Sequence, residues 1–90
     1  MLSIIIPTYN EEGYIGRTLM ALRSCAGIDQ CEVLVVDGGS TDGTVREVEG
    51  LGIRVVHSFK GRAVQMNAGA AKAVGDTCLL YTSDAADERF

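Results

Sequence analysis

Tryptophan is missing from this 90-residue chain, histidine and proline each occur once, and aromatic residues make up only 6% of it. A lone histidine, His57, without an evident partner leaves no Ser-His-Asp or Cys-His arrangement for nucleophilic catalysis. Cys25, Cys31 and Cys78 form an odd set with no Cys-x-x-Cys spacing, which argues against a disulfide framework and against a zinc site. Cys25 and Cys31 read instead as small core or helix-end residues. Basic clusters and interleaved aromatic and basic residues are lacking too, and the formal charge is −4, so nucleic acid is not an expected partner. Long apolar runs are also absent. Leu2–Pro7 is far short of the ~20 residues of a membrane helix and has neither the basic leader nor the cleavage site of a signal peptide. The expectation is a cytoplasmic chain with no transmembrane segment. Phosphate-loop signatures fail as well. There is no Gly-x-x-x-x-Gly-Lys-Ser/Thr, and Gly50-Leu51-Gly52 precedes a strand and has Val55 where a third glycine is needed.

What the chain does have is apolar content, 47%, enough for the core of one small domain or of half a larger one. Strand signals over about Leu2–Ile6, Cys31–Val36 and Ile53–His57 alternate with helical patterns, and a fourth apolar run begins near Cys78. This reads as βαβαβαβ, an α/β chain with a Rossmann-like parallel sheet. The first helix, about Glu11–Cys25, places Ile15, Leu19 and Leu22 on one face, with Asn10 as N-cap and two glutamates in its first turn. A second, about Thr44–Leu51, buries Val45, Val48 and Leu51 and has Asp42 as its cap. The third, about Arg62–Val74, carries Ala63, Met66, Ala70 and Ala73 on a stripe small enough to lie close to a sheet. Right-handed crossovers give the strand order 3-2-1-4 and a switch point between the first and fourth strands, where the ligand crevice opens. Pro7–Glu12, Asp37–Gly39 and His57–Arg62 all follow carboxyl ends of strands and converge there.

Two of these segments carry a resemblance. Ile4-Ile5-Ile6-Pro7-Thr8-Tyr9-Asn10-Glu11 and Val35-Val36-Asp37-Gly38-Gly39-Ser40-Thr41-Asp42-Gly43-Thr44 resemble the nucleotide-binding half of family-two glycosyltransferases with the GT-A fold. Lys60-Gly61-Arg62-Ala63, Gln65-Met66-Asn67-Ala68-Gly69-Ala70 and Gly75-Asp76 are similar to that family's next helix, so residues 1–77 are identified as the N-terminal, nucleotide-sugar-binding half of such a domain. Gly38 departs from the commoner pattern, in which a second acidic residue stands beside the first.

The resemblance implies a nucleoside-diphosphate sugar as donor, an acceptor the sequence does not identify, and a divalent cation, Mg or Mn, in the full-length protein. It implies nucleotide contacts from Pro7, Thr8, Tyr9, Glu11, Asp37, Gly39, Lys60 and Arg62, and assigns no catalytic residue or metal ligand to this chain. Asp37 would accept a hydrogen bond from base or ribose, Thr8 would hold the base and Tyr9 would stack on it. Lys60 and Arg62 would meet the diphosphate at a helix entry. Each has a plainer alternative. Asp37 can form an Asx turn, Tyr9 can simply pack, Glu11 can serve a helix dipole, and Lys60 and Arg62 can be solvated charges. His57, alone at a strand end, reads as structural. After Thr77 the family's apolar strand and Asp-x-Asp metal motif are expected. Instead Cys78–Glu88 resembles the conceptual translation of a sequencing adapter, so residues 78–90 are expected to be an artefactual tail, in which Asp84 and Asp87 have the wrong spacing for a metal motif. Other readings are a nucleotide-binding α/β module of nucleotidyltransferase type, or a truncated polypeptide without function.

Overall fold

The computed structural model describes residues 1–25, 27–75 and the backbone of 77–80. Strand β1 (Leu2–Thr8) leads into helix α1 (Tyr14–Arg23), then a short 3-10 turn at Ile28–Gln30 that hydropathy patterning did not signal. Strand β2 (Glu32–Asp37), helix α2 (Thr44–Gly50), strand β3 (Arg54–His57), helix α3 (Arg62–Lys72) and strand β4 (Thr77–Leu80) follow. The strands are parallel and lie in the order β3-β2-β1-β4.

Side chains alternate across the strands and divide the core in two. Ile4 and Ile6 of β1 and Val35 of β2 pack with Ile15 and Leu19 of α1 and Val48 of α2 on one face. Ile5, Leu34, Val36 and Val56 point to the other, where Ala68 and Ala73 pack against them from α3 and the segment after it. Burial on both faces explains why the β-branched runs are continuous rather than alternating with polar residues. Cys31 supports the first core cluster, and Cys25 is an exposed residue just past the end of α1.

Three local expectations are corrected. Asn10 does not cap α1: it sits at φ 50°, and its side chain is turned toward the loop after β2, while Gly13 takes the N-cap position. Glu11 and Glu12 accordingly precede the helix, whose first turn holds no acidic residue. On α3 the buried positions are Gln65 and Gly69, whereas Ala63 and Ala70 are exposed. Gly69 explains the change of face. A Cβ there would meet Ile5 Cγ2 at 2.6 Å and Val36 Cγ2 at 2.8 Å, so the helix rests on the sheet at its glycine and not along the alanine stripe. Asp42 lies one residue before the N-cap of α2 and still does a cap's work, since its Oδ1 accepts from Thr44 N at 3.0 Å. The expected tail falls largely on residues 81–90, outside the described residues.

Candidate functional site

Loops leave the carboxyl ends of β1, β2 and β3 at the same edge of the sheet. Thr8 and Asp37 end their strands as direct register partners, and both are buried, 3% and 2% exposed. The chain continues from β2 into a turn that Asp37 itself organises. Its Oδ2 accepts from Gly39 N at 3.0 Å and Ser40 N at 2.8 Å, and its Oδ1 accepts from the Ser40 hydroxyl. Gly39 completes this Asx turn at φ 97°, a conformation that a residue with a Cβ adopts only under strain. Asp37 is therefore a turn-former, and this plainer alternative holds whatever else the carboxylate does.

The first loop is fastened to the second by two hydroxyl relays of the same design. Asn10 N donates to Ser40 Oγ, which donates onward to Asp37; Glu11 N donates to Thr44 Oγ1, which donates onward to Asp42 Oδ1. Asn10 Oδ1 accepts from Thr41 N at 2.8 Å, Glu12 N donates to Asp42 Oδ2 at 3.3 Å, and Gly43 N donates to Glu12 Oε1 at 3.0 Å. Gly13 N completes the set by donating to Glu47 Oε1 at 2.8 Å. Backbone donors just ahead of α1 thus find acceptors on the neighbouring loop and helix. The Thr44 hydroxyl bond, assisted by the Thr44 and Glu12 amides, holds the Asp42 carboxyl below its ordinary 3.8.

Other expected site residues also meet here. Thr8 Oγ1 donates to Glu11 Oε1 at 2.8 Å, and the Lys60 ammonium stands 4.2 Å from the centre of the Tyr9 ring, a cation–π distance. Tyr9 and Lys60 come from the first and third loops, so their contact joins the two. Pro7 pairs with Val36 beside Thr8, and Arg62 opens α3. His57 is the register partner of Asp37 on the far side of β2, at an exposed strand end. One residue was missed by reading the sequence. Gln65, 5% exposed, donates through Nε2 to Thr8 O and Val36 O, both at 2.9 Å, and accepts from Gly61 N at 3.1 Å. A glutamine among alanines and glycines is the one signal that could have found it.

The profile of the family "Glycosyl transferase family 2" matches residues 3–89. This chain belongs to that family. Among curated relatives it is 31% identical over 88 residues to the uncharacterized glycosyltransferase YfnE of Bacillus subtilis, covering 91% of this chain and 22% of YfnE. It is 47% identical over 49 residues to validoxylamine A glucosyltransferase of Streptomyces hygroscopicus subsp. jinggangensis, covering 53% of this chain and 11% of that protein. Among solved structures, S. aureus TarS 1-349 superposes with a TM-score of 0.82 at 33% identity, covering 92% of this chain and 27% of TarS. Glucosyl-3-phosphoglycerate synthase from Mycobacterium tuberculosis, solved in complex with Mn2+, UDP and glucosyl-3-phosphoglycerate, gives 0.80 at 27% identity, covering 93% of this chain and 33% of the synthase. This family-2 chain thus spans a third or less of the length of each of these proteins. Its fold is that of these glycosyltransferases, and among its described residues no helix is long and apolar enough to cross a membrane.

Proposed function

We propose that the chain forms the nucleotide-binding half of a cytoplasmic glycosyltransferase that moves a sugar from a nucleoside-diphosphate donor to an acceptor. The observation that carries this reading is the juxtaposition of Thr8 and Asp37, buried register partners at the carboxyl ends of adjacent parallel strands, where open α/β sheets take their ligands.

The three loops divide the work. Asp37 keeps its turn through Oδ2, whose two donors are backbone amides, and offers Oδ1 to base or ribose when the Ser40 hydroxyl rotates away. Thr8, Pro7 and Gly39 line the base side, and Glu11 holds the Thr8 hydroxyl in place. Tyr9 presents its ring for stacking once Lys60 leaves it for the diphosphate, with Arg62 beside it at the start of α3. A divalent cation accompanies UDP in the mycobacterial synthase. Among the described residues of this chain no group of His, Cys, Asp or Glu comes together to hold one, and the Asp37 and Asp42 oxygens already serve turn and cap donors. The described residues therefore do not fit a metal centre, and what they supply is binding and orientation of the nucleotide.

Calorimetric titration with uridine and guanosine diphosphates tests the reading. Binding of either, competed by the corresponding nucleotide sugar, is expected; heats indistinguishable from dilution for both would remove the nucleotide site.

A further inference from the structure

We propose that Gln65 is a positioning residue of the nucleotide site, and that Gln65 and Gly38 form a matched pair in which the amide occupies the space a side chain at position 38 would fill. The inference rests on the nucleotide-site reading above. A single neutral amide ties two strand ends to the third loop: it touches the backbone of Thr8 at the end of β1, of Val36 immediately before Asp37, and of Gly61 between Lys60 and Arg62. Both Nε2 hydrogens are spent on carbonyls, at 2.9 Å each, and Oε1 accepts the Gly61 amide at 3.1 Å. The side chain is 5% exposed, so water is a poor substitute for any of these partners.

Gly38 fits against this amide. A Cβ at position 38 would lie 3.0 Å from Gln65 Cδ and 3.1 Å from both Nε2 and Oε1. A methyl there would require those atoms to give by a few tenths of an ångström against the three hydrogen bonds that hold them. Gly38 N in turn donates to Thr8 O at 3.0 Å, the same carbonyl that Gln65 holds. Glycine at 38 and glutamine at 65 are thus two parts of one device. It sets the spacing between the strand ends, which carry Thr8 and Asp37, and the third loop, which carries Lys60 and leads into Arg62.

The test compares Gln65→Ala, Gly38→Ala, the double variant and Gly69→Ala in the protein at its natural length. Readouts are calorimetric affinity for uridine and guanosine diphosphates, melting temperature and hydrogen exchange of the Gly61 amide. Gln65→Ala is expected to bind about tenfold more weakly or worse, the effect of losing buried hydrogen bonds, with Gly61 protection lost. Gly38→Ala should weaken binding in the native background and have little effect once Gln65 is alanine. Gly69→Ala strains the packing of the same helix without removing a bond of the Gln65 amide, so it should lower the melting temperature and cost clearly less affinity than Gln65→Ala. If Gln65→Ala does not fold, Gln65→Glu decides: its carboxylate repels the two carbonyls, and affinity should recover in part as falling pH protonates it and supplies one O–H donor for them. Three results would overturn the proposal: a folded Gln65→Ala protein with native affinity, additive effects at positions 38 and 65, or equal affinity losses from Gly69→Ala and Gln65→Ala at matched stability. If the wild type binds neither nucleotide, the nucleotide-site reading fails separately, while Gly61 exchange and the stability of the 38/65 cycle still decide whether the pair exists.

Discussion

Asp37 holds its turn and, in the proposed function, also meets the nucleotide, two duties that one substitution confounds and two substitutions separate. Asp37→Ala removes the acceptor of Gly39 N, Ser40 N and the Ser40 hydroxyl, so both turn and ligand contact should suffer. The expected cost in nucleotide binding is about 1.5–3 kcal/mol, the usual worth of a hydrogen bond to a charged group. Asp37→Asn keeps one carbonyl oxygen for the two backbone donors and gives up the second acceptor. It should retain more of the melting temperature than Asp37→Ala while losing a comparable share of affinity. Paired thermal melts and titrations check this; equal affinity for Asp37→Asn and wild type would leave Asp37 a turn residue only. At this scale the sequence was informative wherever chemistry sits at a strand end. Thr8, Tyr9, Glu11, Asp37 and Lys60 are brought to one edge because each follows a legible β-branched run. Gln65 was not legible, because its partners are backbone carbonyls and an amide, which side-chain patterns do not display.

The elements show where pattern reading works and where it fails. Continuous apolar runs located β1, β2 and β3 to within a residue or two. The start of α1 moved from about Glu11 to Tyr14 because residues 10–13 bond to the neighbouring loop and to α2, a tertiary effect that overrides the local capping signal of Asn10. The face of α3 was misread because alanine gives no contrast between its buried and exposed sides. Gly69→Ala puts a methyl against Ile5 and Val36, whose Cγ atoms sit on strands and cannot yield easily, and should destabilise the fold by about 1–3 kcal/mol in denaturant titrations. The loop clasp has its own signature in pH. Asp42 is held below its ordinary 3.8 by the Thr44 hydroxyl above all, so its contribution is fully present above that value and is lost as pH falls through the lower folded-state value. Glu32 behaves in the same sense, held below its usual 4.5 chiefly by the Val74 amide, with help from the Ser3 hydroxyl. Both should steepen the loss of stability in acid. Asp42→Asn should flatten that part of the melting-temperature profile below about pH 4 that Glu32 does not account for. An unchanged profile would mean that the clasp is not coupled to folding.

For the molecule as a whole, the described residues cover the two faces of the sheet unequally, and the proposed site draws on the more lightly covered one. Helices α1 and α2 shield Ile4, Ile6 and Val35, supported by Leu22, Ile28, Val33 and Leu51 among others. On the opposite face, Ile5, Leu34, Val36 and Val56 have Ala68 and Ala73 packed against them, with the glycine at 69 giving close approach but little apolar area. Among the described residues helix α3 therefore buries less apolar side chain than α1, yet it carries Arg62 and Gln65 and begins two residues after Lys60. Local opening should start there, since stability in a fold follows buried apolar contact. A ligand held between α3 and the strand ends binds only the closed form, so it should stabilise α3 by mass action more than it stabilises α1. Native-state hydrogen exchange can measure this. Without nucleotide, amides of residues 62–72 should exchange faster than those of residues 14–23. Saturating nucleoside diphosphate should narrow the gap by slowing α3 selectively. Uniform protection in the absence of ligand, or a gain spread evenly over both helices, would show that the two faces open together and that the site does not draw on the more lightly covered one.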